Sequence, residues 1–399
     1  MGACLLLFCW AMLKLGIHLH KGFILMKILF IVPDMFLRTI EKTDPFYDPI
    51  IRVVDEMPRM EWRVLLPRKG MACGYPQEKI GNYKWFLWCS IWFYRFWRLL
   101  NRKTPVWKIN YCFGKLTRPL FKKKFDADII ITQAGILATE LAGMFPHKRI
   151  VDVQHGVIYS THSGYFTPDA RLVKQYQFTK NREFWVYGKG YADCFFKHPD
   201  NARDLEGRVH VIGDVCMHEV VPEGFKDTIV VSGQFKPEAE RECLLDQVRG
   251  LREFLQSLQT MRGDNVNVLI KHHPRFKGID ELDKLYEEYP FFSETNEDWN
   301  SLYGRMLFHV TFSSTVVFDA ASNGIVSYLM DSETNDPVLE KSFWSDDYHY
   351  PYHDIILSEV LDICAERDTA IRIRQWYEKF YEPFEEKKCL ELINERMFA

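Results

Sequence analysis

His309–Asp331 reads HVTFSSTVVFDAASNGIVSYLMD and predicts a strand–helix–strand unit. His309–Phe312 is a short apolar run with two β-branched residues, as expected of a buried strand. Val316–Asn323 has helical spacing and ends at Gly324, a typical C-cap position. Ile325–Met330 is a second buried strand. The unit therefore predicts two neighbouring parallel strands of an α/β sheet, joined by a helix.

Three hydroxyl side chains, Ser313, Ser314 and Thr315, stand where the predicted strand gives way to the helix. In open α/β sheets, ligands bind at the carboxyl ends of the strands, and backbone N–H groups at a helix start suit a phosphate. Asp319 follows about one helical turn later, within reach of a sugar hydroxyl if the phosphate lies on the serines. Two functions remain open for the serines, donor-phosphate binding or simple N-capping of the helix.

Two further polar loops follow predicted buried strands in the second half of the chain. Thr228–Val231 leads into the first loop and Val266–Lys271 leads into the second. Because the carboxyl ends of parallel strands meet at one edge of a sheet, all three loops are expected to lie together. The candidate nucleotide-binding residues are Ser232, Gly233, Gln234, Lys271, His273, Pro274, Ser313, Ser314, Thr315 and Asp319.

Length and composition favour a soluble globular protein of two domains. The chain has 399 residues, which exceeds one ordinary core, and it is 47% hydrophobic and 26% charged. A net charge of −3 does not indicate a nucleic-acid partner. Ten cysteines without a C-x-x-C pair favour a reducing compartment over a disulfide framework or a zinc site.

Predicted strands alternate with helices in both halves of the chain, which favours parallel sheets. Residues 1–25 are interpreted as an N-terminal extension or a mis-called start, with a weak membrane anchor as the alternative. Residues 26–220 are expected to form an acceptor-side Rossmann-like domain. Residues 221–399 are expected to form a nucleotide-donor Rossmann-like domain with C-terminal helices. Two helical stretches, Ile355–Glu366 and Ala370–Arg396, are predicted to close the chain.

A Lys-x-His-Pro segment, then a Ser-Ser segment at a strand end, then an acidic residue and a glycine, resembles the nucleotide half of GT-B glycosyltransferases. The chain is most similar to the group with His-Pro and Ser-Ser motifs, namely bacterial sialyltransferases, capsule Kdo transferases and teichoic-acid polymerases. The Asp/Glu-Asp/Glu-Gly motif of the sialyltransferases is absent, which argues against a plain sialyltransferase. The matching residues are Lys271, His273, Pro274, Ser313, Ser314, Asp319 and Gly324.

This resemblance implies an α/β chain of GT-B fold, with two Rossmann-like domains facing each other across a cleft. It implies that Asp319 holds the donor ribose. It favours a cytidine donor, of CMP or CDP type, over a uridine donor. It also implies that no metal or other cofactor is needed, because helix dipoles and side chains hold the donor phosphate while the nucleotide sugar is a substrate. Asp126-Ala127-Asp128 is a D-x-D segment, but it precedes a predicted strand and is interpreted as the polar entry to that strand.

Glycosyl transfer to an alcohol needs a general base, expected from the first domain. His155 is the first candidate, because it follows the predicted strand Arg149–Val153, precedes a glycine and titrates near neutral pH. The His-Gly pair also resembles one in the teichoic-acid polymerases. Asp152 is the second candidate catalytic residue and could instead orient a neighbour. Weaker candidates are Asp34, Glu140 and His162.

The segment Tyr83–Leu100, YKWFLWCSIWFYRFWRLL, carries aromatic residues at helical spacing. From Lys84 to Asp126 there are eleven Lys or Arg residues and one acidic residue. One interpretation is a core helix with a basic flank. The other is a surface that makes peripheral contact with an anionic membrane, with Trp side chains at the headgroup level.

The sequence as a whole favours a cytoplasmic glycosyltransferase, peripheral on the inner face of the cytoplasmic membrane. It would move a sugar from a nucleotide-activated donor to a surface-polysaccharide or lipid-linked glycan acceptor, such as a capsule or a lipopolysaccharide. Three alternatives remain: a CDP-alditol glycerophosphotransferase-like enzyme, a nucleotide-sugar 2-epimerase on the same fold, and a non-catalytic membrane-binding protein. An epimerase would need several carboxylates in the cleft and no acceptor surface.

Overall fold

A computed structural model describes most of the chain, in eight segments with gaps between them. These are residues 25–33, 44–68, 74–215, 226–233, 241–262, 267–272, 279–330 and 341–395. Within them the chain forms two parallel β-sheets covered by helices.

Apolar segments of the first half of the chain form a parallel sheet of seven described strands. These strands are β1 (Met26–Ile31), β2 (Met60–Leu66), β3 (Ile80–Asn82), β4 (Ile129–Gln133), β5 (Arg149–Val153), β6 (Arg182–Val186) and β7 (Val209–Val211). Their order across the sheet is β3-β2-β1-β4-β5-β6-β7. The central strands β4 and β5 are buried along their whole length, as expected of a parallel sheet with helices on both faces.

The helices of this half surround that sheet. They are α1 (Asp48–Asp55), α2 (Lys84–Leu100), α3 (Val106–Phe121), α4 (Ala138–Met144), α5 (Lys174–Phe178), α6 (Lys189–Phe196) and α7 (Pro199–Leu205), with a short 3₁₀ turn at Gln77–Lys79. Helices α3 and α4 are in very close contact. A Cβ on Gly114 would lie 1.8 Å from the carbonyl oxygen of Glu140, so only glycine allows this approach.

The second half of the chain repeats the architecture with five described strands. They are β8 (Thr228–Gly233), β9 (Asn267–His272), β10 (Phe292–Glu294), β11 (Met306–Thr311) and β12 (Ser327–Leu329). Their order is β10-β9-β8-β11-β12, and all neighbours are parallel. The helices are α8 (Arg241–Arg262), α9 (Asp280–Glu288), α10 (Trp299–Arg305), α11 (Val316–Ser322), α12 (Lys341–Asp346), α13 (Leu357–Ala365), α14 (Thr369–Tyr377) and α15 (Glu386–Asn394).

The predicted strand–helix–strand unit is confirmed as β11, α11 and β12. The first strand begins earlier than predicted, at Met306, and the second is shorter, over Ser327–Leu329. The short strands β3 and β10 were not predicted, because three residues carry too little periodicity to be detected.

The prediction of a single closing helix over Ala370–Arg396 is wrong. The chain forms α14 and α15 with a break between them that contains Pro383. Proline lacks an N–H and cannot continue a helix. In the break, the carbonyl oxygen of Glu382 accepts a hydrogen bond from the Asp214 N–H at 2.6 Å. Gly213 has a φ of 86°, and a Cβ there would lie 2.1 Å from the Pro383 carbonyl oxygen.

The last two described helices therefore contact both halves of the molecule. α14 packs against α11 of the second sheet, whereas α15 packs against α1 of the first. Arg149 on β5 also donates to the carbonyl oxygen of Leu392 at 2.6 Å. Because α14 packs on one half and α15 on the other, the chain connects the two halves a second time. The first connection is the segment that links β7 to β8.

Candidate functional site

Neighbouring strand ends of the second sheet bring three predicted polar segments to one edge. β8 pairs with β9 in the register Ser232 with Lys271 and Gly233 with His272, and β8 also pairs with β11. Residues 312–315 follow β11 directly. Because all these strands are parallel, their carboxyl ends lie on the same side of the molecule, where ligands of open α/β sheets bind.

The three hydroxyl residues after β11 differ in exposure. Ser314 is buried, and its Oγ accepts a hydrogen bond from the Val316 N–H at 3.3 Å. Its own N–H donates to Thr311 Oγ1 at 3.1 Å. Ser313 is half-buried and Thr315 is exposed. Ser314 therefore shapes the turn into α11 through a local hydrogen bond, whereas Thr315 is accessible to solvent and Ser313 is partly accessible.

Lys271 and Asp319 lie beside the same helix, α10. Lys271 Nζ is 5.6 Å from the centre of the Trp299 ring and donates to the Glu297 carbonyl oxygen. Asp319 is half-buried in the first turn of α11, and its carboxylate adds to the effect of burial in raising the pKa of Tyr303. The Trp299 and Tyr303 rings stack 5.6 Å apart. A cationic side chain thus lies near one ring of this aromatic pair, and an anionic side chain lies near the other.

A buried hydrogen-bond network, missed in the sequence, crosses three strands of the second sheet. His309 on β11 is fully buried, with Nε2 2.6 Å from Ser232 Oγ and Nδ1 2.8 Å from Ser327 Oγ. Burial lowers the pKa of His309 to about 3, so the imidazole is neutral at physiological pH. The Ser232 side chain therefore points into the sheet interior, toward His309. Only the Ser232 backbone is left to contact a ligand at the end of β8.

Several predicted residues lie outside the part of the chain that the structure describes. They are Gln234, His273 and Pro274 of the nucleotide-binding set, and Asp34 among the weaker bases.

Asp152 on β5 forms a buried ion pair in the first domain. Its Oδ2 is 3.0 Å from Arg182 Nη2, and both side chains are about 1% exposed. Its Oδ1 accepts a hydrogen bond from the Gly135 N–H at 3.0 Å. Burial raises the pKa of Asp152, and the guanidinium of Arg182 opposes that rise. Asp152 is thus bonded both to Arg182 and to the loop after β4, contacts that suit a residue that orients its neighbours.

The loop that Asp152 holds has an unusual backbone. Ala134, Gly135 and Leu137 all have positive φ, at 52°, 64° and 56°. Non-glycine residues seldom adopt this conformation, and strain of this kind concentrates at functional sites. The loop follows β4 directly, so it lies at the carboxyl edge of the first sheet beside the loop after β5.

His155 is half-buried in the loop after β5. Gln154 fixes this loop, because its Nε2 donates to the Gly156 carbonyl oxygen at 2.7 Å and its Oε1 accepts from the Tyr187 N–H at 2.9 Å. Burial lowers the pKa of His155, and it also lowers the pKa of nearby His162. A neutral imidazole at pH 7 can accept a proton, as a general base must.

Two buried carboxyl groups of the first domain stand out in the structure. Burial raises the pKa of Glu140 to about 7 and that of Asp44 to about 6. Asp44 Oδ1 accepts from Gln133 Nε2 at 3.1 Å, at the carboxyl end of β4. Glu140 was only a weak candidate in the sequence, and no sequence signal indicated Asp44, since burial of a lone acidic residue in a loop cannot be read from its neighbours.

Tyr348 connects the candidate regions of the two domains. Its hydroxyl donates to the Ile158 carbonyl oxygen at 3.3 Å, three residues after His155. Its ring centre is 5.4 Å from that of Phe318, the residue before Asp319. It belongs to an aromatic cluster at the domain junction that comprises Tyr191, Phe318, Phe343, Trp344, Tyr348, Trp376, Phe380 and Tyr381.

Two kinds of feature are absent from the described residues. They contain no group of three or more His, Cys, Asp or Glu side chains arranged to hold a metal ion. They also contain no helix that is both long and apolar enough to cross a membrane.

Comparison with known proteins finds similarity to solved structures only. The chain matches no family model and no curated protein sequence. A putative UDP-N-acetylglucosamine 2-epimerase from Listeria monocytogenes is similar at a TM-score of 0.56 and 11% identity, covering 93% of this chain and 96% of that one. CalG4, the calicheamicin glycosyltransferase, has a TM-score of 0.49 at 11% identity, with 94% and 99% covered. The lipopolysaccharide outer core galactosyltransferase WaaB has a TM-score of 0.48 at 13% identity, with 93% and 100% covered.

The likeness to the Listeria structure extends over nearly the whole of both chains and shows a shared fold. Together with the two parallel sheets of seven and five described strands, it confirms the predicted fold class, α/β of GT-B type with two Rossmann-like domains. At this level of identity the fold does not determine the reaction.

Proposed function

We propose that the protein is a glycosyltransferase that moves a sugar from a nucleotide-activated donor to a surface-polysaccharide or lipid-linked glycan acceptor. The observation that carries the proposal is the edge of the second sheet, where Gly233, Lys271 and Ser313–Thr315 are adjacent at strand ends. In a GT-B fold this edge faces the cleft between the domains. Small, hydroxyl and cationic residues there suit a nucleotide phosphate.

Each residue of this edge has a part in donor binding. Gly233 lets the phosphate approach the backbone, the hydroxyls of Ser313 and Thr315 donate to its oxygens, and Lys271 supplies positive charge. Asp319 accepts hydrogen bonds from the sugar hydroxyls of the nucleotide. Ser232 and Ser314 hold the loops in shape through His309 and Thr311. His273 and Pro274 complete the set by their motif, outside the described residues.

Two bases are candidates for the nucleotide, cytosine and uracil. Motif resemblance favours cytidine, whereas the Listeria relative is named for a uridine-linked sugar. A donor panel must therefore contain both.

On the acceptor side, His155 accepts the proton of the attacking hydroxyl. Its lowered pKa keeps it unprotonated at neutral pH. Asp152, through Gly135, fixes the strained loop beside it. We place the reaction at the inner face of the cytoplasmic membrane, where a lipid-linked acceptor is accessible to an enzyme that uses nucleotide sugars.

A nucleotide-sugar 2-epimerase is the second candidate, and a specific observation favours it. The first domain holds three buried carboxyl groups, Asp44, Glu140 and Asp152, and the pKa of each is raised by burial. A reaction that abstracts and returns protons on a sugar needs such groups. The Listeria relative is also named for this activity. A CDP-alditol glycerophosphotransferase would use the same phosphate site.

Incubation with sugar nucleotides, followed by NMR of the mixture, separates these functions. UDP-GlcNAc, CMP- and CDP-linked donors are each supplied with and without a membrane glycolipid fraction. A glycosyltransferase releases nucleotide only when the acceptor fraction is present. An epimerase instead converts the sugar without any acceptor and without net release of nucleotide. Transfer of glycerol phosphate or ribitol phosphate from a CDP-alditol to the acceptor, with release of CMP, would identify the third function. No turnover of any donor would contradict the proposal.

A further inference from the structure

The long helix α2 presents a row of large apolar side chains to solvent. Only Phe86 is buried on this helix of 17 residues. The exposed row consists of Trp85 (63% exposed), Trp88 (53%), Trp92 (53%), Phe96 (59%) and Leu99 (79%). These residues are three or four positions apart, so they share one face of the helix. The interpretation of α2 as a core helix with its aromatic row buried is therefore wrong, because the side chains of that row are exposed.

The opposite face of α2 explains why the row is exposed. Phe86 packs 5.0 Å from Phe113 on α3 and 4.8 Å from Phe125, in a core cluster that lies against β1 and β4. Phe93 also lies 5.4 Å from Phe113. These contacts fill the space under the helix. Because Phe86 and Phe93 face the core, the exposed row of Trp and other apolar side chains is directed toward solvent. Helix α3 is itself in close contact with α4 at Gly114.

The indole rings of the row also pack against one another. Trp85 and Trp88 have ring centres 5.9 Å apart, and those of Trp88 and Trp92 are 5.8 Å apart. The neighbouring helix α3 also exposes two large apolar side chains, Leu116 (63% exposed) and Leu120 (79%). Large contiguous apolar surface on a protein marks a partner or a membrane, because leaving it in water is unfavourable.

Basic residues accompany this apolar surface. Between Lys84 and Asp126 there are eleven Lys or Arg residues against one acidic residue, in a chain whose net charge is −3. The exposed ones are Lys84, Arg95, Arg102, Lys103, Lys108, Lys115, Arg118, Lys122 and Lys123. Positive charge of this density attracts an anionic partner.

We propose that α2 and α3 form a docking surface for an anionic lipid membrane. Tryptophan prefers the headgroup level of a bilayer, leucine and phenylalanine enter the acyl region, and lysine and arginine bind lipid phosphates. The surface has all three classes. α2 lies along the membrane rather than through it, in agreement with the absence of a spanning helix among the described residues. A second copy of the chain fits poorly, because two such surfaces would repel each other.

The docking surface deepens the proposed function by bringing the enzyme to a lipid-linked acceptor. The inference depends on that function only for the nature of the acceptor. Binding to vesicles needs neither donor nor turnover, so a failure of the glycosyltransferase assay and a failure of docking are observed separately.

Co-sedimentation of the full-length protein with lipid vesicles tests the inference. We expect binding to vesicles rich in phosphatidylglycerol at about 0.05 M salt and release at about 0.5 M, where charges are strongly screened. Vesicles of phosphatidylcholine alone should bind much less. The variant W85S/W88S/W92S should lose at least about tenfold in binding. Its matched control, L245S/I356S/I371S, removes three exposed apolar side chains of the second domain and should bind as wild type does.

A charge variant provides an independent test, because Lys122 and Lys123 are exposed and their replacement leaves the core intact. Lys124 is half-buried and is left unchanged. K122E/K123E should weaken binding by roughly 25-fold or more at low salt, about fivefold for each lost charge. The matched control K284E/K379E makes the same change in net charge elsewhere.

Three results would overturn the inference. The first is a failure of wild-type protein to bind anionic vesicles at low salt. The second is unchanged binding by W85S/W88S/W92S or by K122E/K123E. The third is a wild-type dimer that becomes a monomer in the Trp variant, since the surface would then be occupied by a second copy of the chain.

Discussion

Ser232 Oγ lies 2.6 Å from Nε2 of His309, inside the second sheet and beneath the candidate nucleotide edge. With Ser327 on the other ring nitrogen, the imidazole links β8, β11 and β12 through side chains. A fully buried histidine must remain neutral, because burying its charged form is unfavourable. The network therefore couples the shape of the nucleotide edge to the protonation of one residue.

Replacement of His309 by glutamine should lower stability at pH 7 and reduce the sensitivity of the protein to acid. The pKa of His309 is about 3 in the folded protein and ordinary, near 6.5, in the unfolded chain. The unfolded chain therefore binds more protons between these values, and stability is lost as pH falls below about 6.5. At pH 7 we expect a loss of about 1–3 kcal/mol from the broken hydrogen bonds. The difference in unfolding free energy between wild type and His309→Gln should be about 2 kcal/mol smaller at pH 5 than at pH 7, because only the wild type loses stability by protonation of His309 in the unfolded chain.

Urea unfolding of both proteins at pH 7 and pH 5 measures this difference. Comparing the two proteins is essential, because Glu140 and Asp44 have raised pKa values and therefore act in the opposite direction, favouring the folded state as pH falls. Their contribution is common to both proteins and cancels. If the difference in unfolding free energy between the two proteins is the same at both pH values, His309 is not kept neutral by this network.

Substitution of the accessible hydroxyl residues after β11, half-buried Ser313 and exposed Thr315, should weaken nucleotide binding. We expect Ser313→Ala and Thr315→Ala each to cost about 1–3 kcal/mol in binding, the value of a hydrogen bond to a charged group. Ser314→Ala should lower stability as well as affinity, because it removes the hydrogen bond from the Val316 N–H to Ser314 Oγ that shapes the turn. Isothermal titration gives the affinities. Thr260→Ala, which removes an exposed hydroxyl on α8, is the control and should bind the nucleotide as wild type does. If Ser313→Ala, Ser314→Ala and Thr315→Ala also bind it with wild-type affinity, these residues do not hold the phosphate.

His155→Ala should lower turnover by about 10²–10⁴-fold and leave nucleotide affinity intact. In the wild type, the acid limb of the kcat/KM profile should have its midpoint below pH 6.5, because burial lowers the pKa of His155. Glu140→Gln should retain turnover in a glycosyltransferase. Loss of activity in Glu140→Gln together with normal activity in His155→Ala would favour the epimerase instead.

Donor binding should be independent of divalent metal. The proposed site holds the phosphate with Lys271, hydroxyl groups and backbone N–H groups. Turnover in the presence of EDTA should therefore equal turnover in magnesium. Restoration of a lost activity by magnesium or manganese would contradict this prediction.

Much of the fold could be predicted from the sequence because its periodic signals are strong. β4, IIITQ, is a continuous apolar run at its start, and α11 begins after hydroxyls and ends before Gly324, whose φ of 71° suits glycine. The break at Pro383 was missed, because the turn there depends on contacts with Asp214, which is distant in sequence.

The site was predictable only where local chemistry decides it. The placement of Lys271 at a strand end follows from the strand pattern. That Ser314 is buried while Ser313 is half-buried depends on the contact of Ser314 with Thr311 in the folded turn. The pairing of Asp152 with Arg182 depends on strand order, which cannot be read from local periodicity. For α2, periodicity predicted the helix, but the side that faces the core was set by Phe113.

The central claim is that the carboxyl edge of the second sheet binds the nucleotide of an activated sugar. The most direct test is the thermal unfolding of the wild-type protein in CMP, CDP, UDP and GDP. A ligand that binds only the folded state raises stability, by about 2.7 kcal/mol at a concentration of 100 times Kd. We predict that one of the four nucleotides raises the unfolding temperature and that its effect is reduced in Ser313→Ala. An unfolding temperature that none of the four nucleotides changes would contradict the account.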